Sequence, residues 1–236
     1  MRFTETRALI TGAGRGLGAA LARALAAEGA HVVLAARTVG ELEAIAADIR
    51  RKGGTAYAIV ADIADKTAIH PLAATASALA GPIDLLIHAA GSLGPVPLRL
   101  LADTDCEDLE QAMQVNLIGP FRLTKALVGN MALHGRGTVL HITSDAAVEA
   151  YPNWGAYSVS KAALDHLNRL WAAELADTGV RFLSVDPGEM ATRMHADALP
   201  DADPASLADP DDVAARLLSL LLPTSPVASG DRHVLA

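Results

Sequence analysis

The chain carries a single cysteine, Cys106, so no disulfide can form within it. Its eight histidines include no H-x-H or H-x-x-x-H pair. No metal site is therefore expected, and His195 is expected to face its own loop. The N-terminus lacks the basic and apolar sections of a secretion signal, and no apolar stretch approaches the roughly 20 residues that span a bilayer. A cytoplasmic location without membrane contact is the expectation. The net charge of −8 argues against a nucleic-acid surface. Internal repeats and low-complexity tracts are absent as well.

What is present suffices for one large core. Of 236 residues, 51% are hydrophobic, and a single domain over 1–236 is expected. Apolar runs of strand length fall at Arg7–Ile10, His31–Ala35, Ala56–Val60, Asp84–His88, Thr138–Ile142, Arg181–Val185 and Arg232–Leu235, separated by longer helical segments. That alternation predicts an α/β fold, a doubly wound parallel sheet of about seven strands with helices on both faces. Leu164, Leu167 and Trp171 form one helix stripe, read as core or subunit interface. Residues 196–210, rich in aspartate, proline and alanine, read as a mobile loop.

Two stretches carry chemistry. In the first, Tyr157 precedes Lys161 by four residues on one predicted helix, which stacks the side chains on one face. An ammonium beside the phenol favours phenolate and lowers a pKa of about 10, making the tyrosine a usable general acid. Ser144, at the end of the run Thr138–Ile142, emerges at a strand tip where its hydroxyl can orient a substrate carbonyl. The second stretch, Thr11-Gly12-Ala13-Gly14-Arg15-Gly16-Leu17-Gly18, follows the run Ala8–Ile10 and opens a predicted helix over Leu17–Glu28. Glycines there let the backbone approach a pyrophosphate, and the helix presents its unpaired N–H groups to it.

At the end of the second strand, where a carboxylate selects the 2′-OH of NAD, this chain has Ala36. Arg37 follows, and Arg15 lies in the glycine turn, so two guanidinium groups can converge on a 2′-phosphate. NADP(H) is the expected cofactor. Glu149, Tyr151, Trp154, Met190 and Met194 are candidate pocket residues, although turn and packing roles explain them equally well.

The spacing T-G-x-x-x-G-x-G resembles that of the short-chain dehydrogenase/reductase family, classical type, and further motifs of that family occur in order. His88-Ala89-Ala90-Gly91 stands where the family has N-A-A-G, and Asn116 is its helix-borne asparagine. Ser144, Tyr157 and Lys161 complete a tetrad, and Pro187-Gly188 with Thr192 resembles P-G-x-x-x-T. The resemblance implies a Rossmann-like fold and hydride transfer between a nicotinamide and a small-molecule carbonyl or secondary alcohol. It also implies that Tyr157 gives the proton, Ser144 steadies the oxyanion, Lys161 holds the nicotinamide ribose and Asn116 positions a water behind the lysine. Asp62 and Ile63 then flank the adenine, although Asp62 reads equally well as a cap on the next turn. Residues 188–210 form the substrate loop, and His88, in place of asparagine, is expected to be structural. A homo-oligomer, dimer or tetramer, is implied. The last residues, Ser229–Ala236, are shorter than the Gly-Gly-rich tail of relatives that reduce 3-oxoacyl thioesters, which counts against that activity and the fourfold assembly. That reductase activity, or NADP(H) binding without turnover, are the alternatives.

Overall fold

The computed structural model describes residues 2–235. Seven parallel strands form one sheet in the order β3-β2-β1-β4-β5-β6-β7. They are β1 (Arg7–Thr11), β2 (His31–Ala36), β3 (Thr55–Val60), β4 (Leu85–His88), β5 (Gly137–Ile142), β6 (Val180–Asp186) and β7 (Arg232–Val234). Each expected strand lies within two residues of an observed one. Side chains alternate between faces along a strand, so Ala8, Ile10, Val32, Leu34 and Ile87 enter one core while Leu9, Val33, Ala35 and Leu86 enter the other.

Helices α1 (Gly16–Ala27), α2 (Val39–Arg51) and α8 (Pro210–Leu221) supply buried residues to the first core. Helices α3 (Lys66–Ala80), α5 (Gly119–Leu133) and α6 (Gly155–Glu174) supply them to the second. There Trp171 stacks between Phe121 and Phe182 at 5.8 and 6.0 Å, so the stripe that includes Leu164 and Trp171 is core. Helix α4 (Cys106–Met113) runs into α5 through a π-helical turn at Gln114–Ile118, which turns Asn116 inward. Among the described residues no helix is long and apolar enough to cross a membrane.

The expected loop at 196–210 is more structured than its composition implied. It begins inside α7 (Arg193–Ala198) and contains a 3-10 turn at Pro204–Ser206. Near its end, Ala208 is tied back to the stretch before α7 by a parallel bridge with Met190, Ala191 N donating to Ala208 O at 2.9 Å. The two aspartate-proline pairs that read as loop, Asp203-Pro204 and Asp209-Pro210, are capping pairs. Asp203 accepts from Ala205 N and Asp209 from Asp211 N, each followed by a proline in the first turn, the arrangement that satisfies a helix start.

Candidate functional site

The chain runs outward from β1 to β3 and then returns to place β4 on the other side of β1. A crevice therefore opens at the carboxyl ends of the strands. It is a cavity of about 1350 Å³ lined by the glycine turn, the ends of β2 to β6 and the segment from Pro187 to Leu199. Single-ligand pockets run to about 1,000 Å³, so this one has room for a dinucleotide with a second small molecule.

The glycine turn fits closely against the loop after β4. A Cβ on Gly12 would lie 2.6 Å from Ala90 N, and one on Gly18 would lie 2.3 Å from Gly12 O. Gly12 also has φ +69°, which favours glycine. Thr11 locks the two loops, donating its hydroxyl to Ile87 O and accepting from Ala90 N, both at 3.3 Å. Arg15 begins α1 without a side-chain cap, so the first-turn N–H groups face the cavity rim unpartnered by a cap. Gly14, Gly16, Leu17, Ala89 and Gly91 line the same wall.

At the other end stand Tyr157, Lys161 and Ser144. Tyr157 is buried on α6, its ring edge-on to Trp154 at 5.8 Å. The Lys161 ammonium lies over the tyrosine ring, 5.5 Å from its centroid, and donates to Ile142 O at 2.7 Å. Ser144 follows β5; its hydroxyl donates to Asp145 Oδ1 at 2.8 Å and accepts from Ala146 N at 3.2 Å.

The expected lowering of the Tyr157 pKa by Lys161 is not found. Burial pushes the phenol up to about 12, against a hydrogen bond with Ser144, and the Asp186 and Asp145 carboxylates add to the rise. Burial pushes Lys161 down to about 8, with Asp165 opposing. The ammonium is directed at a carbonyl and the ring face rather than at the phenol oxygen, so desolvation wins. The phenol consequently keeps its proton at neutral pH.

Asn116 does not reach the cavity. Its side chain accepts from Ser92 N at 2.8 Å and donates to Ser92 O at 2.7 Å and Ser160 Oγ at 2.8 Å. It ties the loop after β4 to α6 from behind the site wall. Below it, His88 and His141 sit opposite each other on β4 and β5 and stack at 5.1 Å. His88 Nε2 pairs with Thr124 Oγ1 at 2.9 Å and His141 Nδ1 with Asn168 Oδ1 at 3.0 Å. Burial pushes His88 well below the usual imidazole range and His141 down to about 4.

Arg37, Asp62 and Ile63 line the end remote from Tyr157. Asp62 caps the following turn through Ala64 N at 2.9 Å and also lines the cavity. A residue that sequence reading passed over, Glu41 in the first turn of α2, lies 3.8 Å from the Arg15 guanidinium. Its only signal was spacing, four residues after Arg37. Around Tyr157, Leu93, Leu98, Trp154, Met194 and Ala198 form an apolar wall. Tyr151 also lines the cavity and donates to Asp145 Oδ2 at 2.9 Å, whereas Glu149 does not line it. Pro187, Gly188, Met190 and Thr192 lie along the floor, with Thr192 capping α7. His195 faces Glu189 at 3.4 Å.

Residues 6–203 match the family described as short chain dehydrogenase. The chain is 31% identical over 239 residues to the 7alpha-hydroxysteroid dehydrogenase of Escherichia coli (strain K12), covering 98% of this chain and 92% of that protein. A solved 7alpha-hydroxysteroid dehydrogenase complexed with NADH and 7-oxo glycochenodeoxycholic acid superposes with a TM-score of 0.91 at 29% identity, over 99% of this chain and 94% of that one. A solved variant of the actinorhodin polyketide ketoreductase with NADPH gives 0.91 at 26% identity, over 100% and 98%. A glycine betaine reductase of Emericella nidulans is 32% identical over 232 residues, and the match takes in 95% of this chain but only 18% of that protein's length.

Proposed function

The chain belongs to the short-chain dehydrogenase/reductase family of oxidoreductases, and from that premise we propose that it is an NADP(H)-dependent enzyme acting on a carbonyl or secondary alcohol, with Tyr157 as proton donor and acceptor. The observation that carries this is one continuous cavity, with a glycine cradle and two arginines toward one end and the hydroxyls of Ser144 and Tyr157 at the other. The bound cofactor supplies a hydride at its nicotinamide C4, and the protein supplies placement and charge. Gly14 and Gly16 would let the backbone approach the pyrophosphate, Gly12 and Gly18 pack the turn tightly against its neighbours, and the α1 N-terminus would supply N–H donors to the phosphates. Ser144 orients the substrate oxygen and stabilises the charge that develops there. Tyr157, whose pKa lies near 12, holds the proton at its hydroxyl in the form that reduction requires. Lys161 and the Pro187-Gly188 turn with Thr192 border the space for the nicotinamide ribose and amide.

Arg15 and Arg37 are the 2′-phosphate ligands in this reading. The Arg15–Glu41 pair does not oppose it, because both partners are well exposed and such a pair contributes under about 1 kcal/mol. A phosphate of nearly two charges displaces it. Hydrogen bonds to a charged group contribute about 1.5–3 kcal/mol, so Arg37→Ala is expected to weaken NADPH binding by roughly tenfold or more and leave NADH unchanged. Equal weakening of both, measured by fluorescence titration, removes Arg37 from the phosphate site.

The substrate is a small molecule with an apolar body, in keeping with the wall of Leu93, Trp154 and Met194. A homo-oligomer belongs to the same reading, supported by exposed Phe121 on α5 and Val159 and Leu170 on α6. The test is NADPH oxidation against ketones, aldehydes, diketones and 3-oxoacyl thioesters, with NADH and Tyr157→Phe run in parallel. Turnover with NADPH that vanishes in the variant supports the proposal. Tight NADPH binding with no turnover of any carbonyl class favours a binding protein instead.

A further inference from the structure

Behind the catalytic end lies a buried ionic cluster that the reaction as described does not use. Arg232 opens β7, opposite Ser184 of β6. Its Nη2 donates to the Ser144 main-chain oxygen at 3.0 Å and to Asp186 Oδ2 at 2.8 Å. Its Nε lies 3.2 Å from Asp165 Oδ2, off line for a hydrogen bond, so that contact is ionic. Asp165 also accepts from the Ser184 hydroxyl. Asp186 turns its other oxygen to Gly188 N at 3.1 Å, which fixes the Pro187-Gly188 turn.

We propose that Arg232 is a positioning residue, holding Ser144 and the 186–188 turn in place and balancing two buried carboxylates that face Tyr157 and Lys161. The inference rests on the catalytic reading of Ser144, Tyr157 and Lys161. Two features support it. One guanidinium joins the ends of β5 and β6 to α6 at the serine that must orient the substrate, where small displacements lower rates steeply. The carboxylates are almost wholly enclosed, with side chains 6% and 7% exposed, and among the described residues only Arg232 forms an ion pair with both.

The charges around Lys161 set the sign of a test. Asp165, on its own helix, favours the ammonium, while burial opposes it. On β4 and β5 stand His88 and His141, neutral and disfavoured by the lysine. Asp186 on β6 and Asp145 after β5 act on Tyr157. Arg232 on β7 offsets Asp165 and Asp186 together. Removing its charge strengthens the carboxylate field, so Lys161 holds its proton to higher pH.

The experiment is NMR titration of the lysine side chains in cofactor-free protein, with Lys161 assigned by its loss in Lys161→Met, alongside steady-state kinetics. In Arg232→Met the Lys161 midpoint is expected to rise from about 8 by half a unit or more. The kcat is expected to fall about tenfold with little change in KM for NADPH. Arg232→Lys, which keeps the charge without the forked contact, is expected to restore the midpoint but not the kcat. If Arg232→Met does not fold, the same comparison is made between Asp165→Asn and Arg232→Met/Asp165→Asn, where Asp186 alone is left unbalanced. A Lys161 midpoint unmoved in the charge-removing variant, or a rate loss matching only the loss of folded protein, overturns the proposal. Absence of NADPH turnover in the parent is a separate result, because the lysine titration does not depend on it.

Discussion

Tyr157→Phe is expected to lower turnover by about two to four orders of magnitude, the span for loss of a general acid, while leaving the fold and cofactor affinity intact. The ring's packing against Trp154 and beneath Lys161 survives the change, since only the hydroxyl is removed. Ser144 retains its bonds to Asp145 and Ala146. What disappears is the phenol proton, held in the cavity wall that also carries Ser144. The measurement is kcat from NADPH consumption together with the NADPH dissociation constant and the melting temperature. Turnover within threefold of the parent would remove Tyr157 from the chemistry.

Acid is expected to destabilise this protein through its buried histidine pair. In an unfolded chain histidine binds a proton near pH 6.5, whereas folded His141 binds one only near pH 4. Between those values the unfolded state carries more protons, so stability falls as pH drops, by about 1.4 kcal/mol per pH unit for one such group. Going to pH 5 thus costs about 2 kcal/mol from His141 alone, by the same relation. His88 adds in the same direction, its pKa lowered by burial, by the neighbouring His141 and by Lys161. Above about pH 6.5 the pair contributes no further change. Urea unfolding at pH 7 and pH 5 is the check, on the parent, His88→Asn and His88→Asn/His141→Asn. The parent should lose the most and the double variant the least; equal losses in all three would sink the explanation.

Much of this molecule is visible in one dimension. Strand positions follow from runs such as Val32-Val33-Leu34 and Leu85-Leu86-Ile87 because a sheet buried on both faces demands unbroken apolar stretches. The glycine turn is legible because Gly12 and Gly18 have no space for a Cβ. The segment 196–210 is less legible: Asp-Pro pairs mark helix starts and loops alike, and only the bonds to Ala205 N and Asp211 N show where a loop passes into a 3-10 turn and into α8.

By itself, then, the sequence determined the α/β architecture, the glycine turn and the pairing of Tyr157 with Lys161, because each leaves a pattern in residues a few positions apart. That holds even where, as at Gly12 against Ala90, the contact that demands it is remote. The tertiary structure decided the rest. It turned Asn116 away from the cavity onto Ser92 and Ser160, brought Glu41 to Arg15, stacked His88 on His141, and carried Arg232 to the Ser144 carbonyl across 88 residues of chain. It also reversed the expected shift of the tyrosine, since spacing on a helix fixes which groups are close, while burial fixes how strongly each resists being charged.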